Sequence, residues 1–495
     1  MNIALVHCPF DHRLFSENLK VVDEEFCVAP PLVLAYVAAI IEKAGHTVCI
    51  IDANALRLTS TEALVRLKAF HPDMIGFRVD TYWVLRAVEW AIFFKQHLTV
   101  PILVGGVNVT LYPHETFSHR CFDFGVQGEA NISLPAFLHA YEHKKSYQSI
   151  PGLIYRDRQQ LVVNPPVSTA VPLDEYPFPA RGLLPNHAYY SFTSQRRNFT
   201  IMITSTGCPF KCTFCAIAPL PLRERSPENV LQEIDHCYHT FGVREIDFFD
   251  PVFFINKKRN RAICEGIIQR QLDLEWSCRS RVDMVDDESL ALAARAGCRK
   301  IYFGIESAEA SVLTAIKKET SYADVQRAIG LSRDHGIRSL GFFMVGNPED
   351  TSQSVKQSIQ MAKKLKLDFV LVCRTVPKPG TPLNELLIQT TGVDYWREYI
   401  LGLRQEQRFP TPWTRLSEKE KEKLVWRFYV QFYFRFLYIL RRLRGLRSAE
   451  ELRRYVRAAA KWFLYNTSDV KSPAASPLPR RTRSPKAVKQ QIHDS

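Results

Sequence analysis

The sequence predicts an α/β protein in three parts. A doubly wound, Rossmann-like sheet comes first, a partial TIM-like (β/α) barrel second, and a helical region last. Three observations predict this. Short apolar runs alternate with amphipathic helical segments almost without a break from Ile3 to Val372. The alternation is interrupted once, by a proline-rich stretch over 146–195. Beyond residue 386 the strand-like runs stop and an aromatic, basic helical pattern takes over.

The first part, 1–145, opens with a strand at Ile3–Val6. A helix over Leu32–Lys43 stops at Gly45, and a strand over Thr47–Ile51 ends at Asp52. Next come a helix at Glu62–Phe70, a strand at Met74–Phe77 and a long helix at Thr81–His97. Strands at Ile102–Val104 and Phe122–Val126 run into Gly105-Gly106 and Gly128-Glu129, and a helix at Ser133–Tyr141 closes the unit. Ligands of such sheets sit at the carboxyl ends of strands, where glycines let the backbone come close. In the linker, 146–195, two runs around Ile154 and Val162 suggest a small hairpin in a plain inter-domain connection. The barrel, 196–385, holds strands near Ile201, Glu245–Phe249, Glu275–Arg279, Lys300–Ile305, Ser339–Val345 and Phe369–Val372, with helices between them. Ser226 is the expected N-cap of one helix, with Pro227 at its first position.

Composition bounds the function. The 495 residues are 46% hydrophobic, a globular value. No run of apolar residues is long enough to span a bilayer. Met1–Cys8 lacks a basic n-region, so no secretory signal is expected there. The 12 cysteines are scattered apart from one cluster, which argues against a disulfide framework and for a reducing, cytoplasmic setting. The net charge is +14, much of it beyond residue 400, but no nucleic-acid motif accompanies it, so no nucleic-acid partner is expected.

Chemistry concentrates in Cys208-Pro209-Phe210-Lys211-Cys212-Thr213-Phe214-Cys215, a loop just after the first barrel strand. Thiolates this close in sequence can converge on one metal centre. A zinc site takes four ligands, usually as two separated pairs, and no second CxxC is present downstream. Four thiolates normally hold a cubic [4Fe–4S] cluster. Three would leave one iron open to a small molecule.

The CxxxCxxC spacing resembles the signature of the radical SAM superfamily. The resemblance implies that Cys208, Cys212 and Cys215 ligate a [4Fe–4S] cluster whose open iron chelates S-adenosylmethionine (SAM), with Phe214 beside the adenine. Further segments resemble the family in order. Gly304-Ile305-Glu306-Ser307 matches the motif whose polar groups, here Glu306 and Ser307, contact SAM. Gly341 and Gly346, within Gly341–Glu349, match a glycine motif near the adenine, and Arg279 and Arg281 match polar positions on the fourth strand. Phe249-Asp250 with Phe253 and Asn256, and Arg223–Pro227, resemble other family segments. Each also has a structural reading: arginines in ion pairs, Glu306 as a helix cap, glycines at bends. Cys237, Cys264, Cys278, Cys298 and Cys373 read as buried thiols, with Cys278 and Cys373 at strand ends.

The first part resembles the cobalamin-binding domain that precedes many radical SAM barrels. The matching pieces are Pro30-Pro31-Leu32, Lys43–His46, Gly105-Gly106 with Thr110, and Gly128-Glu129. The resemblance implies cobalamin contacts from Pro31, Thr81, Gly105, Gly106, Thr110, Gly128 and Glu129. Asp11-His12 lacks the glycine of a DxHxxG motif, and the relatives' histidine and GExE ending are replaced by Asn108 and Ala130-Asn131. Radical SAM relatives usually lack DxHxxG, holding the corrin without a protein histidine on cobalt. The other reading is a sheet that keeps its shape without the corrin. A nucleotide-binding sheet is disfavoured because no GxGxxG comes after the first strand.

The C-terminal region, 386–470, holds a helical run at Leu424–Leu443 with Arg427, Gln431 and Arg435 on one face. Two readings are open: a helix packed on the barrel with arginines in solvent, or a helix at a membrane surface through 424–447. The run resembles the tail of the anaerobic magnesium-protoporphyrin ester cyclase group. Residues 471–495 are rich in Pro, Ser, Lys and Arg, and disorder is expected.

Together the resemblances imply a cobalamin-dependent radical SAM enzyme. It would methylate an unactivated carbon, or other poor nucleophile, of a small-molecule intermediate, with electrons from a flavodoxin or ferredoxin. An oxidative cyclase with the same cofactors and a non-catalytic iron–sulfur protein are the alternatives. No side chain is singled out as acid or base.

Overall fold

The computed structural model describes residues 1–9, 27–166, 171–194, 196, 198–218, 220–404, 409–444, 452, 453, 455–457 and 460. Asp11-His12 and the tail 471–495, for which the composition predicts disorder, lie outside the described residues.

Two sheets organise the chain. In the first, the strands run in the order Thr47–Asp52, Asn2–His7, Met74–Arg78, Ile102–Gly105, Phe124–Val126, Leu153–Asp157, Gln160–Val163. The first five are parallel, with Leu5 beside Ile50 and Gly76. Their order is the doubly wound one, which reverses direction between the strands at 2–7 and 74–78. The hairpin assigned to the linker instead adds two antiparallel strands to this sheet. Phe124–Val126 is short and would otherwise be a bare edge. The side chain of Asn164 locks the hairpin, donating to the carbonyls of Tyr147 and Ile150, both at 2.8 Å.

Leu32–Lys43 is a helix buried on two sides, because both domains cover it. One side packs on Ile3 and Leu5, the other, through Leu32 and Ala35, on Phe199 and Ile201 of the second sheet. The helix expected over Thr81–His97 is a 3₁₀ turn, Thr81–Trp83, and then an α-helix, Val84–Lys95. The backbone at Val79 is still bonded to Gly105 and Asn108, so the chain reaches helical geometry late.

The second sheet has six parallel strands in chain order: Phe199–Met202, Glu245–Phe248, Glu275–Arg281, Cys298–Glu306, Arg338–Val345 and Phe369–Arg374. It is a half barrel with helices on its outer face. The helix Pro227–Phe241 starts as the residues demand, with Ser226 accepting from Asn229 N at 3.2 Å, and it ends at Gly242.

The C-terminal region grips both units. Trp396 is fully buried against the first domain's core, and Arg397 pairs with Glu115 at 2.6 Å. The single helix expected at Leu424–Leu443 is two, Glu418–Tyr433 and Phe436–Arg444, with the turn at Phe434 and Arg435. The first packs on the barrel through Leu424, Val425, Phe428 and Phe432. Tyr429 and Tyr433 serve the outer edge of the last strand. The Tyr429 hydroxyl accepts from Val372 N at 2.9 Å and donates to Val372 O at 3.1 Å. Tyr433 does the same at Val370, at 3.0 and 2.8 Å. Phenols thus satisfy the groups that a seventh strand would have bonded.

The linker contributes a buried cation. Arg181 is 1% exposed and bonds to Ile201 O at 2.9 Å and to the Glu233 carboxylate at 2.5 Å. Arg225 takes the other Glu233 oxygen. Burial works against the Glu233 charge, but the two guanidiniums outweigh it and hold the carboxyl below the ordinary glutamate range. The stabilisation is therefore complete above that range and is lost as pH falls through the depressed folded value. Glu233→Gln leaves two buried guanidiniums without a counter-ion and should lower stability by about 3–5 kcal/mol in urea unfolding near neutral pH. The difference from the parent should shrink on acidification.

Candidate functional site

A cavity of about 320 Å³ lies at the carboxyl ends of the first sheet. Its walls are mostly apolar: Leu5, Val37, Ile40, Phe77, Leu103 and Leu134, with Tyr36 and Tyr176. Gly105, Gly106, Gly128 and Glu129 also line it, and the second domain supplies Ile203, Thr206, Arg223 and Arg225. Gly106 must be glycine: its φ is 122° and a Cβ would lie 2.7 Å from Val79 O. Thr110 stands behind the two glycine loops and joins them, donating to Gly106 O at 3.3 Å and accepting from Gly128 N at 3.2 Å. Glu129 accepts from the Tyr176 hydroxyl at 2.7 Å and pairs with Arg223, so one carboxylate spans the two domains. Pro31 precedes the wall helix and Thr81 is buried just beyond the strand that ends at Arg78, but neither lines the cavity. Arg78, in an ion pair with Asp80 at 2.9 Å, does line it. Its signal is readable in the sequence, since it is the one charge ending the apolar strand Met74–Arg78.

The cysteine loop borders this cavity through Thr206. Gly207 (φ 76°) admits no side chain, because a Cβ would meet Pro221 O at 1.9 Å. Beneath the loop, Asp250 is fully buried and accepts from Thr204 N at 2.6 Å and Ser205 N at 3.0 Å, and from the Thr204 hydroxyl. Burial pushes its carboxyl up, and these bonds oppose the shift. Arg259 donates to Thr204 O at 2.9 Å and Arg225 O at 2.7 Å. The far side is held by Thr213, whose N–H donates to Ile316 O at 3.1 Å and whose carbonyl accepts from Leu383 N at 3.0 Å.

Cys208 and Cys212 share an electropositive surround. Burial raises the Cys212 thiol, and Lys318 and Arg281 act against it. Burial also raises Cys208, with the same two cations opposing and Cys215 close enough to add to the shift. Arg281 lies 3.8 Å over the Phe210 ring and is held by Asp283 at 2.9 and 2.8 Å. Lys318, 5% exposed, is 3.2 Å from Glu306. Glu306 has a left-handed backbone, φ 67°, and Gly304 leaves the space its carboxylate and Lys318 share. Among the described residues no three His, Cys, Asp or Glu side chains are gathered closely enough to hold a metal as they stand. The donor set nonetheless suits an iron–sulfur cluster: soft thiols on one loop, facing cations that favour thiolate.

Other expected residues are placed differently. Arg279 is neither a surface residue nor turned to the thiols. It donates twice to Asp247, at 2.9 and 3.1 Å, and lies between the rings of Phe249 and Tyr302, 3.5 and 4.9 Å away. Ser307 is buried and accepts from Glu309 N at 3.2 Å. Gly341 packs under Leu367, Ile305 and Phe343, on the side of the helix-facing core. Gly346 sits at a strand end, where its N–H donates to Asp350 at 2.8 Å and its carbonyl accepts from Trp413 at 3.0 Å. Phe214 is half-buried beside Cys215. Cys278 is buried beside Cys298, whereas Cys373 is half-buried. Cys27 belongs to a short ladder with Tyr190–Ser191 and lies near Asp247 and Arg279; burial pushes its thiol up to about 12. No local pattern could have revealed Lys318, Trp413 or Cys27, because each reaches the site from a distant stretch of chain.

The half barrel, its thiol loop and the glycine-cradled cavity define a radical SAM protein with a corrin-type first domain. Comparison agrees. Residues 202–362 match the radical SAM superfamily and residues 24–138 the B12 binding domain. An uncharacterized methyltransferase of Pyrococcus horikoshii is 31% identical over 420 residues, 82% of this chain and 88% of the relative. An anaerobic magnesium-protoporphyrin IX monomethyl ester cyclase of Synechocystis is 24% identical over 421 residues, 81% of this chain and 84% of its own. In fold, the chain is similar to the radical SAM methyltransferase TsrM of Kitasatospora setae, with a TM-score of 0.64 at 18% identity over 79% of this chain and 75% of that one. The chain belongs to the cobalamin-dependent radical SAM family. It is an enzyme whose cofactors are a [4Fe–4S] cluster, SAM and cobalamin.

Lys318 is a buried cation that acts on Cys208 and Cys212 and pairs with Glu306. Lys318→Met should move the cluster's midpoint potential to a more negative value in an anaerobic redox titration, whereas Lys318→Arg should keep it near the parent's.

Proposed function

We propose that the enzyme methylates an unactivated carbon, or another poor nucleophile, of a small-molecule biosynthetic intermediate. The observation that carries the reading is the shared cavity: the glycine loops of the first domain and Ile203, Thr206 and Arg223 of the barrel line one space. A cofactor cradled by the first and a reagent held at the thiol loop would meet a substrate between them. Similarity to a methyltransferase over most of both chains supports the choice of reaction.

In this reading Cys208, Cys212 and Cys215 would hold the cluster and leave one of its irons to SAM. Glu306, Ser307, Phe214 and the Gly346 turn would bind SAM, with Lys318 and Arg281 as charge partners for its carboxylate and the cluster. The geometry favours packing at Gly341, and at Arg279 a prop for the aromatic wall of Phe249 and Tyr302, over direct contact with SAM. Gly105, Gly106 and Gly128 would leave room for cobalamin at the strand ends, with Thr110 fixing their loops and Glu129 closing the edge through Arg223. When bound, the cofactors supply a carbon radical strong enough to take hydrogen from a C–H bond and a methyl group to replace it. The protein's part is to orient them and exclude water: Tyr36, Tyr176 and Phe178 wall the cavity. Electrons would come from a flavodoxin- or ferredoxin-class donor.

A second reading, oxidative ring formation, is favoured by the similarity to the ester cyclase. Anaerobic reconstitution with cobalamin, SAM, reductant and candidate substrates separates the two. S-adenosylhomocysteine formed together with 5′-deoxyadenosine is the expected result; deoxyadenosine alone would favour cyclisation. Cys212→Ala should lose both bound iron and SAM cleavage, and cleavage that persists would overturn the ligand assignment.

A further inference from the structure

The two C-terminal helices face opposite ways. Glu418–Tyr433 buries its apolar side on the barrel. Phe436–Arg444 does the reverse. Its polar-tipped residues turn inward: Tyr438 is buried and donates to Asp368 O at 2.8 Å, Arg441 donates to Leu367 O at 3.0 Å, and Arg442 pairs with Asp368. Its apolar residues turn outward, with Phe436 77% exposed, Leu437 76%, Leu443 49% and Ile439 43%. At 100° per residue these side chains form one continuous arc. Four large apolar side chains exposed side by side on one short helix form a contiguous apolar patch, the kind of surface at which partners bind.

Charge selects the occupant. Between residues 427 and 447 there are six arginines and no acidic residue, and of the six Arg442 is neutralised by Asp368. Lys364 and Lys366, exposed on the neighbouring element, add to the positive rim. The chain's own continuation, 445–495, carries eleven Lys and Arg against four Asp and Glu, so its charge repels that rim. A second copy of the chain would bring the same positive rim to the contact. An anionic bilayer offers both what the arc and what the rim require. No described helix is long and apolar enough to cross a membrane, so the element would lie on the surface. We propose that Phe436–Arg444 docks the enzyme on the surface of an anionic lipid bilayer, inserting Phe436, Leu437, Ile439 and Leu443 among the acyl chains while the surrounding cations meet lipid headgroups.

The test is co-sedimentation of the full chain with vesicles of phosphatidylcholine alone or mixed with phosphatidylglycerol. The expected result is binding to the mixed vesicles that falls at least ~10-fold for the double variant Phe436→Ser, Leu437→Ser, because two inserted side chains are lost. Both residues are exposed, so the variant should keep the parent's urea midpoint and SAM cleavage. No binding by the parent overturns the proposal. Binding that survives the double substitution overturns it as well, since the basic tail is intact in that variant. A concentration-dependent dimer that the substitution abolishes, with no vesicle binding, assigns the arc to a second copy and also overturns it.

Discussion

One buried carboxylate holds the arrangement together. Glu233, on the first barrel helix, is fully enclosed, and its two oxygens meet Arg181 from the linker and Arg225 from the segment after the thiol loop. A single charge in such a place would be untenable, so the three groups stand or fall as a set. Arg181 also binds Ile201 O, on the strand that feeds the cysteine loop, and Arg225 binds Ile203 O just past that strand's end. The position of the linker, of that strand and of the next helix is therefore decided at one point.

The cavity takes its shape from that point. Arg225 lies over Phe178, 5.6 Å away, and both line it. Two residues earlier, Arg223 crosses to Glu129 at the glycine-bearing edge of the first sheet. The shared wall between the two domains is thus set by charges anchored in the second, and the apolar lining needs only to be smooth. On the barrel side, Asp250, Arg259 and Thr213 fix the two ends of the loop that carries Cys208, Cys212 and Cys215.

Much of this is legible in the residues alone. The thiol loop is readable because a short-range spacing carries it, and Pro227–Phe241 because its cap and first residue announce it. The glycines at the sheet's carboxyl ends can be read from strand and turn patterns alone. The features that escape are those that depend on distance in sequence. Lys318 reaches Glu306 through a fold, not a motif. Trp413 meets Gly346 from a later segment, 67 residues on. The hairpin at 153–163 joins the sheet because Phe124–Val126 needs a partner, a demand invisible in the hairpin's own residues. Arg279 matches a family position yet is spent on Asp247, two strands' register deciding its partner. The run 424–443 has one helical period but two burial demands, and the chain turns at Phe434 to meet both.

The tyrosines on the last barrel strand have a further consequence. Val370 and Val372 have their outward amide and carbonyl groups occupied by phenols rather than by another strand. A chain cut before residue 418 would keep the thiol loop and both glycine loops and still present raw, adhesive backbone along one flank. Such a fragment would recruit its own copies edge to edge, so the half barrel is not a portable module: its last strand is finished by a helix that lies beyond it in the chain.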